Sequence, residues 1–316
     1  MQTHESLGRD VLRLIVWYPL RGLLRLLPAA SGFALLRRMG DLHYQAAIGK
    51  RRQLADNLRR MGIPPERHEQ AARSYFRNHY VDQLFPLIAP KLTAANIGSF
   101  LSVSGLSHLD AVLRKKKGVV LVHGHFGPAH LPLAGLAHMG YPMKQIGNPS
   151  DKGLSWIGRN VAFRLRMRYE GKMPAEIIKA DAFLRPVFAA LKQNQVVMIT
   201  GDGSGTEEEF GRQEDCLLLG QPVRLPLGPA ILARKTGAAL LPLFLLPGRE
   251  TPFAACIGEE IKSPLPGLEG AAACARSFSA QLEQRILHEP GWMHFLDRFQ
   301  PGQFVQKERR AAQFAD

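Results

Sequence analysis

The sequence predicts an α/β domain, a mainly parallel central sheet flanked by helices, entered through an amphipathic amino-terminal helix. Three observations carry this expectation. From Lys117 onward, short β-branched runs bounded by glycines alternate with helix-length segments, the order of a parallel sheet with crossover helices. Residues 41 to 90 carry apolar side chains at helical spacing. The chain has 316 residues, 46% hydrophobic and 22% charged, which is ample for a large core and excludes a disordered chain or a disulfide-stapled miniprotein.

The first element runs from Val11 to Leu27 (VLRLIVWYPLRGLLRLL). It is strongly apolar, yet no window of about 20 residues is free of arginine, so a spanning helix is not expected. On a helical wheel Arg9, Arg13, Arg21 and Arg25 fall within one half of the circumference. Most of the Leu, Ile and Val take the rest, and Trp17 and Tyr18 suit the headgroup level. The segment therefore reads as a helix lying on a membrane surface, kinked near Pro19; the competing reading is an amphipathic helix packed on its own domain. Residues 1–40 are assigned to this anchor and 41–316 to a single α/β domain.

RRQLADNLRRMG forms a helix ending at Gly62, Pro64 and Pro65 restart the chain, and ERHEQAARSYFRNHYVDQLF forms a second helix. The cluster Lys50, Arg51, Arg52, Arg59 and Arg60 reads first as a solvated face and second as a phosphate contact. GVVLVHG is then a strand, and Pro128 opens the helix in PAHLPLAGLAHMG. A helix around Ala180 to Lys192 follows, then the strand QVVMITG, a loop of glycines and acids including Glu207 to Glu209, the helix GPAILARKTG and the strand AALLPLFLL. In such a sheet ligands bind at the carboxyl ends of the strands, where His123, His125 and Asp202 fall.

The formal net charge of +14 points to a polyanionic partner such as phospholipid, nucleic acid or an acidic carrier protein. Nucleic acid is disfavoured, since no recognisable module is present and the apolar amino terminus would go unexplained. Cys216, Cys256 and Cys274 are far apart and form no CxxC, so neither a disulfide framework nor a thiolate zinc site is expected. The interrupted apolar run lacks the order of a signal peptide, and a cytosolic exposure is expected.

The chemical centre is the loop His123-Gly124-His125-Phe126-Gly127-Pro128-Ala129-His130. It sets imidazoles at the sheet mouth, beside a helix amino end that stabilises developing negative charge. The HxH spacing also permits a metal site, but the motif has no unambiguous carboxylate to complete one, and no metal is expected.

These residues resemble the bacterial lipid A biosynthesis (late) acyltransferases, within the wider lysophospholipid acyltransferase superfamily. That family's pattern is a strand ending in His-Phe-Gly-Asn-Trp-Glu, and GVVLVHGHFGPAH aligns His125-Phe126-Gly127 with it. The resemblance also runs through LLRLLPAASGFALLRRMGDL, RRQLADNLRRMG, VVMITGDGSG, LLLGQPVRLPLGPAILARKTGAALLPLF and the closing EPGWMHFLDRF. It implies a glycerolipid acyltransferase-like fold in which a histidine deprotonates the acceptor hydroxyl and an acid five residues on orients it. Here that position is His130, giving HxxxxH.

Three readings stay open: another carboxylate substitutes, with Asp202 the candidate; the acceptor is an amine or other nucleophile needing less activation; or the protein is a non-catalytic descendant that binds lipid or partners. His125 is expected as general base with His130 as its neutral orienting partner. The resemblance further matches Asp202 to an aspartate after the next strand, where it would orient substrate or His125, and Arg166 and Arg168 to an arginine pair near a phosphorylated substrate or carrier; the competing readings are a turn aspartate and solvated helix charges. His123, Phe126 and Gly127 border the same loop and are expected to contact substrate; Phe126, Gly127, Leu225 and the strand around Leu241 are either an acyl tunnel or plain core. The expected activity is acyl transfer from an acyl-carrier-protein or coenzyme A thioester to a lipid A-like, lysophospholipid or other lipid acceptor. It needs no bound cofactor and takes place on the cytoplasmic side of the inner membrane.

Overall fold

The computed structural model describes residues 6–180, 184–203 and 211–298. The acidic run Glu207 to Glu209 lies outside the described residues.

The amino-terminal segment is α1 (Leu7–Ile15), a π-helical turn over Val16–Leu20, and α2 (Arg21–Leu26). The Ser6 hydroxyl caps α1 by accepting from the Arg9 amide at 3.3 Å. Pro19, which has no amide proton, sits inside the π turn, so the irregularity expected there is a local widening of the helix. Among the described residues no helix is long and apolar enough to cross a membrane. The helix is turned so that Trp17 and Leu24 are buried while Val11, Leu12, Ile15, Tyr18 and Leu26 are exposed.

Helix α3 (Ala29–Ala46) runs through position 40 and is followed by α4 (Ile48–Arg60) and α5 (His68–Ile88). Asp41 accepts from Arg77 at 2.7 and 2.9 Å and from Arg73 at 2.7 Å, which locks α3 to α5. Lys50 pairs with Asp297 at 3.1 Å and lies over the Tyr75 ring, and Arg51 lies over Tyr44, so part of the expected basic cluster is committed to packing.

The sheet alternates with the remaining helices: β1 (Leu101–Ser104), α6 (Leu106–Leu113), β2 (Val119–His123), α7 (His130–His138), β3 (Met143–Gly147), α8 (Arg164–Glu170) and β4 (Glu176–Lys179). Then come α9 (Arg185–Lys192), β5 (Val196–Thr200), the hairpin β6 (Gln213–Leu218) and β7 (Gln221–Pro226), α10 (Gly228–Thr236), β8 (Ala239–Pro247), β9 (Phe253–Ile257) and α11 (Gly267–His288). Seven strands form the main sheet in the order β1-β9-β8-β2-β5-β3-β4. Every pairing is parallel except β8 with β9. All five residues of β2 are buried, as a central strand covered on both faces requires, which is why VVLV reads as an unbroken apolar run. Phe33 of α3 packs on Phe253 of β9 with ring centroids 5.4 Å apart, and Phe278 of α11 stacks on Phe244 of β8 at 5.7 Å. Leu225 and Leu241 are fully buried in this core.

Candidate active site

β2 and β5 are adjacent, parallel and in register from Val119 opposite Val196 to His123 opposite Thr200, so both end at the same level. The Gly201 amide donates to the His123 carbonyl at 2.8 Å, which carries the pairing one step past the strands. His125 and Asp202 each lie two residues beyond these matched ends, about one inter-strand spacing apart, and their side chains meet. The His125 Nδ1 is 2.9 Å from Asp202 Oδ1, and the His125 backbone amide donates to Asp202 Oδ2 at 2.5 Å. Gly124 permits this approach, since a Cβ there would stand 3.2 Å from Asp202 Oδ2 and 3.1 Å from Leu282.

An ionised carboxylate only accepts, so Nδ1 carries the proton and Nε2 carries the lone pair. Asp202 is 8% exposed and the His125 side chain 23%, so the anion is sheltered while the ring reaches the mouth of the sheet. Burial pushes the His125 pKa down, but the charge and hydrogen bond of Asp202, with the charge of Asp82, outweigh it and leave the pKa raised. Such a pair can take a proton at Nε2 and stabilise the resulting imidazolium.

Strand order brings Asp202 to the Nδ1 of His125, the place expected for His130. His130 is the first residue of α7, within the influence of Glu170, Asp82 and Arg166. Burial is the main reason its pKa is lowered, with the two carboxylates opposing, which favours the neutral ring. His123 is 4% exposed; its Nδ1 donates to the Gly124 carbonyl at 3.1 Å, which leaves the acceptor Nε2 buried without a partner. Burial and the neighbouring His125 push its pKa down to about 4.

Arg166 donates from Nε to Glu170 Oε1 at 2.6 Å, whereas Arg168, on the same helix, is exposed. Phe126 is buried against Trp292, with centroids 6.3 Å apart. Gly127 has φ +66°, and a Cβ there would sit 2.4 Å from Trp292 Cε3, so both the backbone conformation and the space require glycine.

Three further residues escaped the sequence reading. Asp82 on α5 accepts from the Ala129 amide at 3.2 Å and lies 3.8 Å from His294 Nδ1. His294 donates from Nε2 to the Gly127 carbonyl at 2.6 Å and from its backbone to the His125 carbonyl at 3.0 Å, while the Trp292 carbonyl accepts from the Gly127 amide at 2.8 Å. Alternate residues 125, 127 and 129 of the loop are thus pinned from outside. The third is Glu170, 5% exposed beneath Arg166. His294 had a faint signal in the closing motif EPGWMHFLDRF; Asp82 and Glu170, in helical runs of mixed charge, had none. Among the described residues, no group of three or more His, Cys, Asp or Glu side chains is placed to hold a metal ion.

A mainly parallel sheet with a histidine–carboxylate pair where its strands end is an arrangement suited to acyl transfer. The particular family follows from comparison with known sequences: the chain belongs to the bacterial lipid A biosynthesis acyltransferases, which it matches over residues 7–301. It is similar to the phosphatidylinositol mannoside acyltransferase of Mycobacterium tuberculosis, 30% identical over 215 residues, which is 63% of this chain and 62% of that protein. The chain therefore matches less than two thirds of that relative's length. It is also similar to the phosphatidylinositol mannoside acyltransferase of Mycolicibacterium smegmatis, 27% identical over 245 residues, 71% of this chain and 76% of that protein.

Proposed function

We propose that this protein transfers an acyl group from a thioester, on acyl carrier protein or coenzyme A, to a hydroxyl of a membrane lipid. The single observation that carries the reading is the contact of His125 with Asp202 at the sheet mouth. In the proposed reaction Nε2 of His125 takes the proton of the acceptor hydroxyl as its oxygen attacks the thioester carbonyl. Asp202 stabilises the imidazolium, and collapse of the tetrahedral adduct breaks the C–S bond and returns the proton to the departing sulfur. Ester and free thiol are the products, and the thioester supplies the driving force. Asp202 thus restores the carboxylate that HxxxxH lacks.

Two relatives named for phosphatidylinositol mannoside and a family named for lipid A favour a glycosylated, phosphorylated headgroup as acceptor. Arg166, held by Glu170, and the exposed Arg168 two residues on are the candidates to meet its phosphate. His123, Phe126 and Gly127 border the reacting loop, and His130 is a neutral neighbour of the headgroup site. Residues 1–40 hold the protein on the cytoplasmic face of the inner membrane as a peripheral protein, and 41–316 carry the chemistry.

The test is twofold. Purified protein is given labelled acyl carrier protein and coenzyme A thioesters with extracted lipids, and the lipids of cells with and without the gene are profiled by mass spectrometry. An acylated species that depends on both the gene and His125 is expected. Identical profiles together with full transfer by His125→Ala would refute the proposal.

A further inference from the structure

The inward side of α1 is bonded to a distant part of the chain. Ser155 Oγ donates to Asp10 Oδ1 at 2.5 Å, and Arg13 donates to Ser155 Oγ at 3.1 Å and to Asp10 at 2.9 Å. Gly158 lies directly beneath Arg13, where a Cβ would meet the guanidinium at 2.8 Å. The buried Trp17 completes the seam against Tyr169, with centroids 6.4 Å apart. Asp10 and Arg13 are thus held in the seam together with the apolar Trp17, Arg9 and Arg25 stay exposed, and Leu7, Val11, Leu12, Ile15 and Leu26 face outward, each at least half exposed. A row of apolar side chains thus stays uncovered, where an ordinary amphipathic helix buries its apolar face.

The residue that follows Ser155 at this seam is Trp156. It is 74% exposed, whereas the other two tryptophans, Trp17 and Trp292, are 7% and 6% exposed. Arg25 on α2, Arg159 three residues after Trp156, Arg164 and Arg168 are exposed, Arg159 pairing with Asp151 at 3.4 Å, within a chain of net charge +14. Exposed apolar side chains, an exposed indole and exposed arginines in a basic chain match an anionic bilayer surface, where tryptophan seats at the headgroup boundary and arginine meets phosphate.

We infer that Trp156 and the outward face of the amino-terminal helix form one lipid-contacting surface. The inference rests on the proposal that the protein works at a membrane, and it adds a second anchor outside the amino-terminal segment.

The full-length protein is mixed with vesicles of phosphatidylglycerol and phosphatidylcholine, and binding is read by sedimentation and by tryptophan emission. Emission is expected to shift to the blue and to be quenched by brominated acyl chains. Trp156→Phe should lose the shift and keep most of the binding, while Trp156→Ala should partition about tenfold more weakly. Vesicle binding without a shift, a shift that persists in Trp156→Phe, or unchanged partitioning of Trp156→Ala overturns the inference and leaves the helix as sole anchor. Absence of any vesicle binding overturns the membrane reading itself, and this inference with it.

Discussion

Replacing Asp202 by Asn changes one atom and removes one charge, and the geometry makes that change severe. Asp202 accepts twice from His125, once from the backbone amide at 2.5 Å and once from Nδ1 at 2.9 Å. Asparagine offers one acceptor and one donor. The backbone N–H cannot reverse, so the amide oxygen turns to it and the NH2 faces Nδ1. The ring must then present a lone pair at Nδ1 and carry its proton at Nε2, the tautomer that cannot deprotonate an acceptor. Loss of the imidazolium's counter-charge adds to this. The same substitution in a Ser-His-Asp triad costs about 10⁴-fold, equivalent to about 5.5 kcal/mol of transition-state stabilisation.

The assay is initial acyl-transfer rate against pH, with thermal melting to establish that the variant folds. In the parent the rate falls as acid protonates His125, from a pKa that Asp202 holds above its ordinary value. With that charge and hydrogen bond gone, burial dominates, and any residual activity should show its acid limb at lower pH. Stability has the matching sign. A raised folded-state pKa contributes stability below the unfolded value that is lost as pH rises through the folded one, so parent and variant should differ most in melting temperature at acid pH. Transfer within tenfold of the parent, with an unmoved acid limb, would refute the pairing.

His130→Glu, which restores the family's motif acid, adds a third carboxylate near Glu170 and Asp82; it is expected to lower melting temperature without raising transfer, whereas His130→Gln is tolerated, and a rise in rate for the Glu variant would contradict this. Gly127→Ala meets Trp292 and a left-handed backbone, so a loss of about 2–4 kcal/mol is expected in denaturant unfolding, together with reduced transfer. Arg168→Gln should raise KM for a phosphorylated donor or acceptor more than it lowers kcat, and steady-state kinetics with both ratios equal would return Arg168 to a solvated charge. Leu12→Glu combined with Ile15→Glu, both exposed, should move the protein from the membrane to the soluble fraction with its core intact, since Trp17 and Leu24 are untouched; the parent should need detergent rather than salt for release.

The alternation of β-branched runs and helical segments determined the parallel α/β sheet, because side-chain period and turn chemistry are local properties that a short window records. For the same reason GVVLVHG, QVVMITG and AALLPLFLL were legible as strands, and the loop from His123 to His130 stood out by composition. The outer strands β1 and β4, their neighbours β9 and β3, and the β6–β7 hairpin were not assigned, being short or of mixed polarity. The wheel gave the two stripes of the amino-terminal helix but not which of its residues face the protein; that was decided by Ser155 and Tyr169, far away in sequence. The partner of His125 was of the same kind. Sequence offers both His130 and Asp202 as partners, and the resemblance points to His130, which stands five residues on, where the family's motif has its acid. Only the order of the strands, with β5 laid beside β2 in register, brought a carboxylate 77 residues distant to within 2.9 Å. Chain proximity limits which groups can meet cheaply, but strand pairing, set by burial of both sheet faces at once, decides which groups do.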